Sequence, residues 1–263
     1  MFLMFFLLII HVLVDFYFQS EKASDEKLAE VLSIKTIFKS RLFKHTLIYI
    51  ICTFLIFLVY IPNQWLDIII FLIAGLSHGV IDLIKVKLYQ KTNEDKRPYL
   101  FFIDQLLHVV ILILLGLYII FNFTLTNLGN YFLTDSTYFS VLQYVLAFLL
   151  IGKTGNVFFK ELLGKYKPSQ EDVDEAKEHG FHVFSSNQKA GRTIGILERI
   201  LLMISLIVGS YMTIGLILAA KSIARFKTLE VTKFGEYFII GTMFSILYTI
   251  FTYYFIFVLF QNI

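Results

Sequence analysis

Apolar runs of about 18–25 residues recur along this chain, and about 20 residues cross a bilayer core as helix. That repetition excludes most folds at once. A water-facing globule cannot bury so many long apolar runs, and lipid leaves only helices or closed barrels as spanning structures. Of the 263 residues, 57% are hydrophobic and 16% are Lys, Arg, Asp or Glu, against roughly 25% charged in an average soluble domain. The fold class read from this is all-α, a polytopic helical transmembrane bundle with about seven hydrophobic segments. They fall at 1–18, 45–61, 65–85, 101–121, 139–152, 196–220 and 237–260. The first run has no basic n-region and no small-residue cleavage site, so it is read as a retained span and not a signal peptide.

Three of these segments carry a histidine and an aspartate four residues apart: His11 with Asp15, His78 with Asp82, and Asp104 with His108. That spacing places both members of a pair on one helix face. Ionisable groups inside a membrane are costly and face the bundle interior or a cavity. Imidazole and carboxylate together suit zinc, manganese or iron. The expected metal ligands are His11, Asp15, His45, His78, Asp82, Asp104 and His108. Asp15, Asp82, Asp104 and Lys85 are the expected catalytic groups, with Lys85, Lys153 and Arg199 available to neutralise a phosphate. Seven donors exceed one tetrahedral zinc and leave room for two metals, or for one metal with a general base.

Basic residues set an orientation. The stretch 19–44 holds six Lys and Arg, 85–99 holds five and 153–199 holds eight, while 62–66 and 122–138 hold none. The positive-inside rule puts the basic stretches in the cytosol and the N-terminus outside. His45, Asp15, Asp82 and Asp104 then share one slice of membrane near its inner surface. A full crossing at 196–220 would strand Lys221, Arg225, Lys227 and Lys233 outside. Either a break or re-entrant turn near Gly209 or Gly215 removes that conflict, or Lys221 and Arg225 have a function that overrides the charge rule. Glu198, Arg199, Lys221, Arg225 and Glu236 form a second expected polar cluster.

The domain reading is one membrane domain, 1–263. It has a four-helix His/Asp half at 1–122, a second helical half at 139–263 and a cytosolic loop at 153–190 with a short acidic helix. Ser169 and Asp172 resemble a capping box opening that helix. The stretch 21–44 has the spacing of an amphipathic surface helix. Asp67 and Asp135 are expected to be solvated, His179 and His182 to lie on the surface, and Cys52 to be an inert core residue. A lone cysteine rules out an intrachain disulfide. No basic–aromatic strand pattern points to nucleic acid.

The residues His11-Val-Leu-Val-Asp15, His45, His78-Gly-Val-Ile-Asp82 with Lys85, and Asp104-Gln105-Leu106-Leu107-His108 resemble the family called domain of unknown function 3307. Gly195-Ile-Leu-Glu198-Arg199, Ala220-Lys221-Ser222 with Arg225 and Glu236-Tyr237 with Gly241 are similar to it in the second half. The resemblance implies a bacterial or phage-encoded protein of the inner membrane and carries no activity with it. In pattern alone, the His/Asp pairs also look like those of membrane-bound metal-dependent hydrolases. The leading expectation is a metal-dependent hydrolase at the cytosolic leaflet, in contact with membrane lipid and acting on a phosphorylated lipid or isoprenoid. A proton- or cation-coupled transporter and a non-enzymatic membrane adaptor are the alternatives. The oligomeric state is left open by the sequence.

Overall fold

The first helix, α1 (Phe2–Val12), runs on through a π turn at Leu13–Tyr17. Apart from His11 and Asp15 its side chains are apolar or aromatic, and Phe2, Leu3, Phe5, Leu7, Ile9 and Ile10 are buried. A helix that is apolar all round belongs in the interior, and α1 is enclosed in that way. The computed structural model that shows this describes residues 1–19, 40–178, 188–224, 226 and 231–259. Most of the amphipathic stretch expected at 21–44 lies outside these residues, as do His179, Gly180, His182, Arg225 and Lys227.

Two compact units divide the chain, Met1–Leu146 and Ala147–Ile263. In the first, α2 (Arg41–Thr53) starts at Ser40, whose hydroxyl accepts from the Phe43 N–H at 3.1 Å, and tightens into a 3-10 turn at Phe54–Leu58. Helix α3 spans Trp65–Tyr89. Helix α4 (Arg97–Asn122) opens with Pro98, which fits the first turn because its missing N–H would have no intrahelical acceptor. Helix α1 packs on α2 and α4, α2 on α3, and α3 on α4. Two short strands, β1 (Tyr60–Pro62) and β2 (Phe123–Leu125), pair antiparallel with Ile61 opposite Thr124. They tie together the ends of α2 and α4. The apolar core, including Phe2, Leu7, Ile56, Phe71, Leu112 and Ile119, fills that end of the unit. Helices α5 (Asn127–Thr134) and α6 (Ser136–Leu149) follow, and Phe139 meets Phe5 of α1 edge to face at 5.1 Å.

Two glycines set the spacing of α2 and α3. A Cβ on Gly79 would sit 2.5 Å from Thr46 Oγ1, and one on Gly75 would sit 2.9 Å from Ile50 Cγ1. Small residues four apart let membrane helices approach this closely. At the start of α3, Asp67 is buried, which corrects the expectation that it is solvated. It accepts from the N–H groups of Asn63 and Gln64 at 3.0 and 2.8 Å and from the Tyr118 hydroxyl at 2.8 Å. Tyr118 arrives from α4, a tertiary partner that local sequence does not reveal.

Five helical segments are long and apolar enough to cross a membrane: Arg41–Leu58, Trp65–Tyr89, Arg97–Asn122, Ser136–Tyr166 and Thr232–Val258, with shorter apolar helices at Phe2–Tyr17 and Tyr211–Ala224. The expected span at 139–152 is therefore part of a longer helix. Past Ala147 the chain passes through a π turn at Leu150–Thr154, where Gly152 leaves helical geometry at ψ −123°, and continues as α7 (Gly155–Leu163). The carbonyls exposed by the break are capped by side chains. Arg199 Nε donates to Ile151 O at 2.6 Å, and its Nη2 to Gly152 O at 3.1 Å and to Asn156 Oδ1 at 2.6 Å. Tyr248 donates to Leu150 O at 3.1 Å.

Helix α8 (Gln170–Glu178) is capped as the sequence anticipates: Ser169 N donates to Asp172 Oδ2 at 2.8 Å, and Asp172 N to Ser169 Oγ at 3.2 Å. Helix α9 (Gln188–Val208) stops at Gly209, whose φ of 73° is open to glycine at little steric cost. Helix α10 (Tyr211–Ala224) then folds back along α9. The Lys221 ammonium lies 2.6 and 2.8 Å from the two Glu198 carboxylate oxygens, whereas one continuous helix would hold the two residues about 34 Å apart. Helix α11 (Thr232–Tyr253) ends in a π turn at Tyr254–Val258. Near its start, Lys233 pairs with Asp172 of α8. The Lys233 ammonium and the Ser169 donors hold the Asp172 carboxyl down at about 2, so this tie stays charged at neutral pH. Helices α9 and α10 thus form an antiparallel hairpin closed by the Glu198–Lys221 pair, the arrangement that a re-entrant turn requires. A re-entrant placement of this hairpin would return Lys221 and Lys233 to the side of the basic stretch that precedes them and remove the charge conflict.

Two measurements follow. In a Cys52→Ser background, cysteines placed at Lys189 and Lys233 react with an impermeant maleimide from the same side of the membrane; labelling from opposite sides would mean a full crossing. Arg199→Ala leaves the Ile151 and Gly152 carbonyls without these donors, at about 1–3 kcal/mol for each unsatisfied group. It therefore lowers the thermal midpoint in detergent, which a fluorescence melt reads.

Candidate metal centre

Four helices bring the seven expected ligands to one place, at the end of the first unit opposite the β ribbon. Asp15 sits in the π turn that follows α1, a distortion frequent at functional sites. His11 lies one turn back. His45 lies in the second turn of α2 beside Thr46, the residue that Gly79 lets close. His78 and Asp82 lie on α3, and Asp104 and His108 on α4. All seven are buried or nearly so, with His11, His78, Asp82 and His108 each 2% exposed.

The tightest geometry is a triangle. Asp15 Oδ1 lies 3.3 Å from His45 Nε2 and 3.3 Å from His78 Nε2, and those two nitrogens are 3.2 Å apart. Tetrahedral zinc with bonds of about 2.0–2.1 Å puts neighbouring donors about 3.3–3.4 Å apart. The three atoms therefore have the dimensions of one face of a coordination tetrahedron. Asp82 Oδ2 lies 3.5 Å from His45 Nε2 and 3.8 Å from His78 Nε2, as a further donor to the same point. His11 Nε2 stands 3.9 Å from Asp15 Oδ2. Three sets of residues bring potential ligand atoms within 4.8 Å of one another: His11, Asp15 and His78; His45, His78 and Asp82; and Asp82, Asp104 and His108. His78 and Asp82 each belong to two sets, so the three are one continuous cluster able to coordinate a divalent ion.

The surrounding contacts orient these donors. Asp104 Oδ2 accepts from Lys85 Nζ at 2.6 Å and from Gln105 Nε2 at 3.0 Å. Its Oδ1 is buried and has no hydrogen-bond partner among the described residues. His108 Nδ1 lies 2.8 Å from the Asp104 backbone carbonyl. A carbonyl only accepts, so Nδ1 carries the proton and Nε2 keeps its lone pair. That Nε2 is buried with no hydrogen-bond partner among the described residues. An imidazole fixed through one nitrogen, with the other bare, is the arrangement of a metal ligand. The donor set fits a divalent cation on these grounds.

Tyr49 belongs to the centre although the sequence reading passed over it. Its ring stacks on His78 at 3.7 Å and 2°, and it is buried. It follows His45 by four residues, the spacing that marks the His/Asp pairs, but an aromatic ring among so many carried no signal.

The second expected cluster comes together only in part. Glu198 pairs with Lys221. Arg199 is spent on backbone carbonyls and on Asn156, which leaves it poorly placed to bind a phosphate. Glu236 is exposed, and Arg225 lies outside the described residues.

The close approach at Gly79 gives a direct test of how the centre is built. Threonine is stiff at χ1, so Thr46 cannot swing away from a new side chain, and α2 must move with His45. Gly79→Val is expected to cost about 1–3 kcal/mol in stability and to lower metal retention on gel filtration. Ser77→Val, which puts the same side chain two residues away, leaves metal retention unchanged.

The family described as protein of unknown function DUF3307 matches this chain over residues 3–137. The match takes in just over half of the chain and includes all seven candidate ligands, Lys85 and Tyr49. It stops short of Glu198, Arg199 and Lys221, so the likeness read in the second half of the sequence falls outside it. No curated protein and no solved structure matches the chain. With the matched region covering the four helices and the buried His/Asp centre, the chain belongs to the DUF3307 family of membrane proteins.

Proposed function

We propose that this protein is a divalent-metal-dependent membrane hydrolase whose centre lies near the cytosolic leaflet and takes a phosphorylated lipid or isoprenoid. The observation that carries the reading is the triangle of Asp15 Oδ1, His45 Nε2 and His78 Nε2, with edges of 3.2–3.3 Å. Two imidazole nitrogens 3.2 Å apart converge on one carboxylate oxygen, and a single divalent cation satisfies all three lone-pair donors at once. A divalent cation held there supplies Lewis acidity towards a phosphoryl oxygen.

The residues divide the work. His45, His78, Asp15 and Asp82 hold the ion. His11 stands beside Asp15 with both ring nitrogens buried and without a hydrogen-bond partner among the described residues, in place to take a proton from attacking water. Lys85 balances Asp104 and supplies the positive charge nearest to the incoming phosphate. The basic stretches of the sequence support a position for this end of the bundle at the inner leaflet, where a lipid headgroup presents its phosphate. A transporter needs a polar route through both membrane halves. The core of Phe71, Ile56 and Ile119 occupies the other half of this unit and favours a dead-ended site.

Elemental analysis tests the first step, on protein purified in mild detergent without a metal-affinity tag. Wild-type protein is expected to hold about one equivalent of zinc, manganese or iron, as a closed donor set would. The paired change His78→Ala and Asp82→Ala loses the metal while keeping its helical circular dichroism. A panel of phosphorylated lipids then reads activity, which falls at least about 100-fold in that variant, beyond the usual cost of losing an outer-shell partner. Wild-type protein that takes up no divalent ion, even after add-back and removal of excess, overturns the reading.

A further inference from the structure

The triangle at His45 and His78 uses one end of the cluster, and the other end has its own unfilled donors. Asp104 Oδ1 and His108 Nε2 are buried and without hydrogen-bond partners among the described residues. Neither is slack: Lys85 and Gln105 fix the other Asp104 oxygen, and the Asp104 carbonyl fixes His108 Nδ1. Asp82 reaches both ends, with ligand atoms in range of His45 and His78 and also of Asp104 and His108. A carboxylate shared between two adjoining donor sets is how a two-ion site is joined, with ions about 3.5–4 Å apart.

Charge then decides when such a second position fills. Asp15, Asp82 and Asp104 bring three negative charges and Lys85 one positive, with the histidines neutral as ligands. One divalent cation at the triangle cancels the remainder. A second would leave two uncompensated positive charges among buried apolar helices, which is strongly unfavourable. A dianionic phosphoryl group arriving with the second cation restores neutrality.

We infer that Asp82, Asp104 and His108 form a second divalent-cation subsite that fills only together with a phosphoryl dianion. The inference rests on the metal-dependent reading above and adds its ligand chemistry: the anion is recognised as a dianion bridging two cations, whether it comes as free phosphate or on a lipid.

Manganese titration of the full-length protein in detergent tests this, with unbound Mn²⁺ read by electron paramagnetic resonance. The expected result is one equivalent bound in chloride buffer and two when inorganic phosphate is present. The paired change Asp104→Asn and His108→Gln binds one equivalent in both buffers. If that pair of changes also costs the first equivalent, His108→Gln alone is read in its place. A lipid phosphate monoester in mixed micelles that fills the second position at lower concentration than free phosphate identifies the lipid as the source. The reverse order identifies free phosphate. A second equivalent that appears without phosphate, that never appears, or that survives in the variants overturns the inference while the first site stands. No bound manganese at all removes both readings together.

Discussion

Three carboxylates and four imidazoles are held out of water by four helices, and among the described residues the Lys85 ammonium pairs with one of those carboxylates. Everything else in the first unit answers to that burial. In an apolar medium an unpaired charge is costly enough that proteins pair it, neutralise it or bind an ion to it. Here the groups converge instead of avoiding one another. Asp15 lies between two imidazoles, Asp82 joins two donor sets, and Lys85 offsets one carboxylate. Such convergence requires backbones closer than ordinary side chains permit, and Gly75 and Gly79 provide the room. The β ribbon and aromatic core at the far end keep the helices from splaying. The fold supplies rigidity at one end and donor atoms at the other.

The second unit meets a backbone version of the same difficulty. A helix that leaves its regular geometry at Gly152 exposes carbonyls at membrane depth, where no water can satisfy them. Arg199 and Tyr248 do so, and Gly155 leaves space for the guanidinium: a Cβ there would stand 3.0 Å from Arg199 Nε. The fork of donors on a single arginine suits several acceptors at once. The Arg199 guanidinium thus serves the backbone, in contrast with the bare donors of the first unit.

Much of the first unit was readable from spacing. The four-residue interval of each His/Asp pair, together with the alternation of basic and uncharged links, placed the ionisable groups on inward faces at one depth. The part of the family resemblance that the match over residues 3–137 covers rested on those same residues. What the sequence could not supply came from contacts between elements. Asp67 looked solvated because its partner Tyr118 is 51 residues away. Arg199 looked like an anion binder because nothing local announces that a helix will break at Gly152. Tyr49 was one aromatic among many. Gly209 was named as a place for a break, but the return of α10 needed the Glu198–Lys221 and Asp172–Lys233 pairs to fix its direction. Periodicity reports which face a residue takes. It is silent on what stands opposite.

The capping of the Gly152 break by Arg199 bears on how the second unit can move. Broken membrane helices often serve as flexing points, because freed carbonyls can exchange partners as the two halves swing. Here a buried guanidinium grips both sides of the break through Ile151, Gly152 and Asn156. Letting go would strand a charge that is never deprotonated, with no water to receive it. The bend is accordingly a fixed elbow, built for shape and unsuited to articulation. Because Arg199 sits on α9, the same grip that fixes the elbow also locks α9 against it.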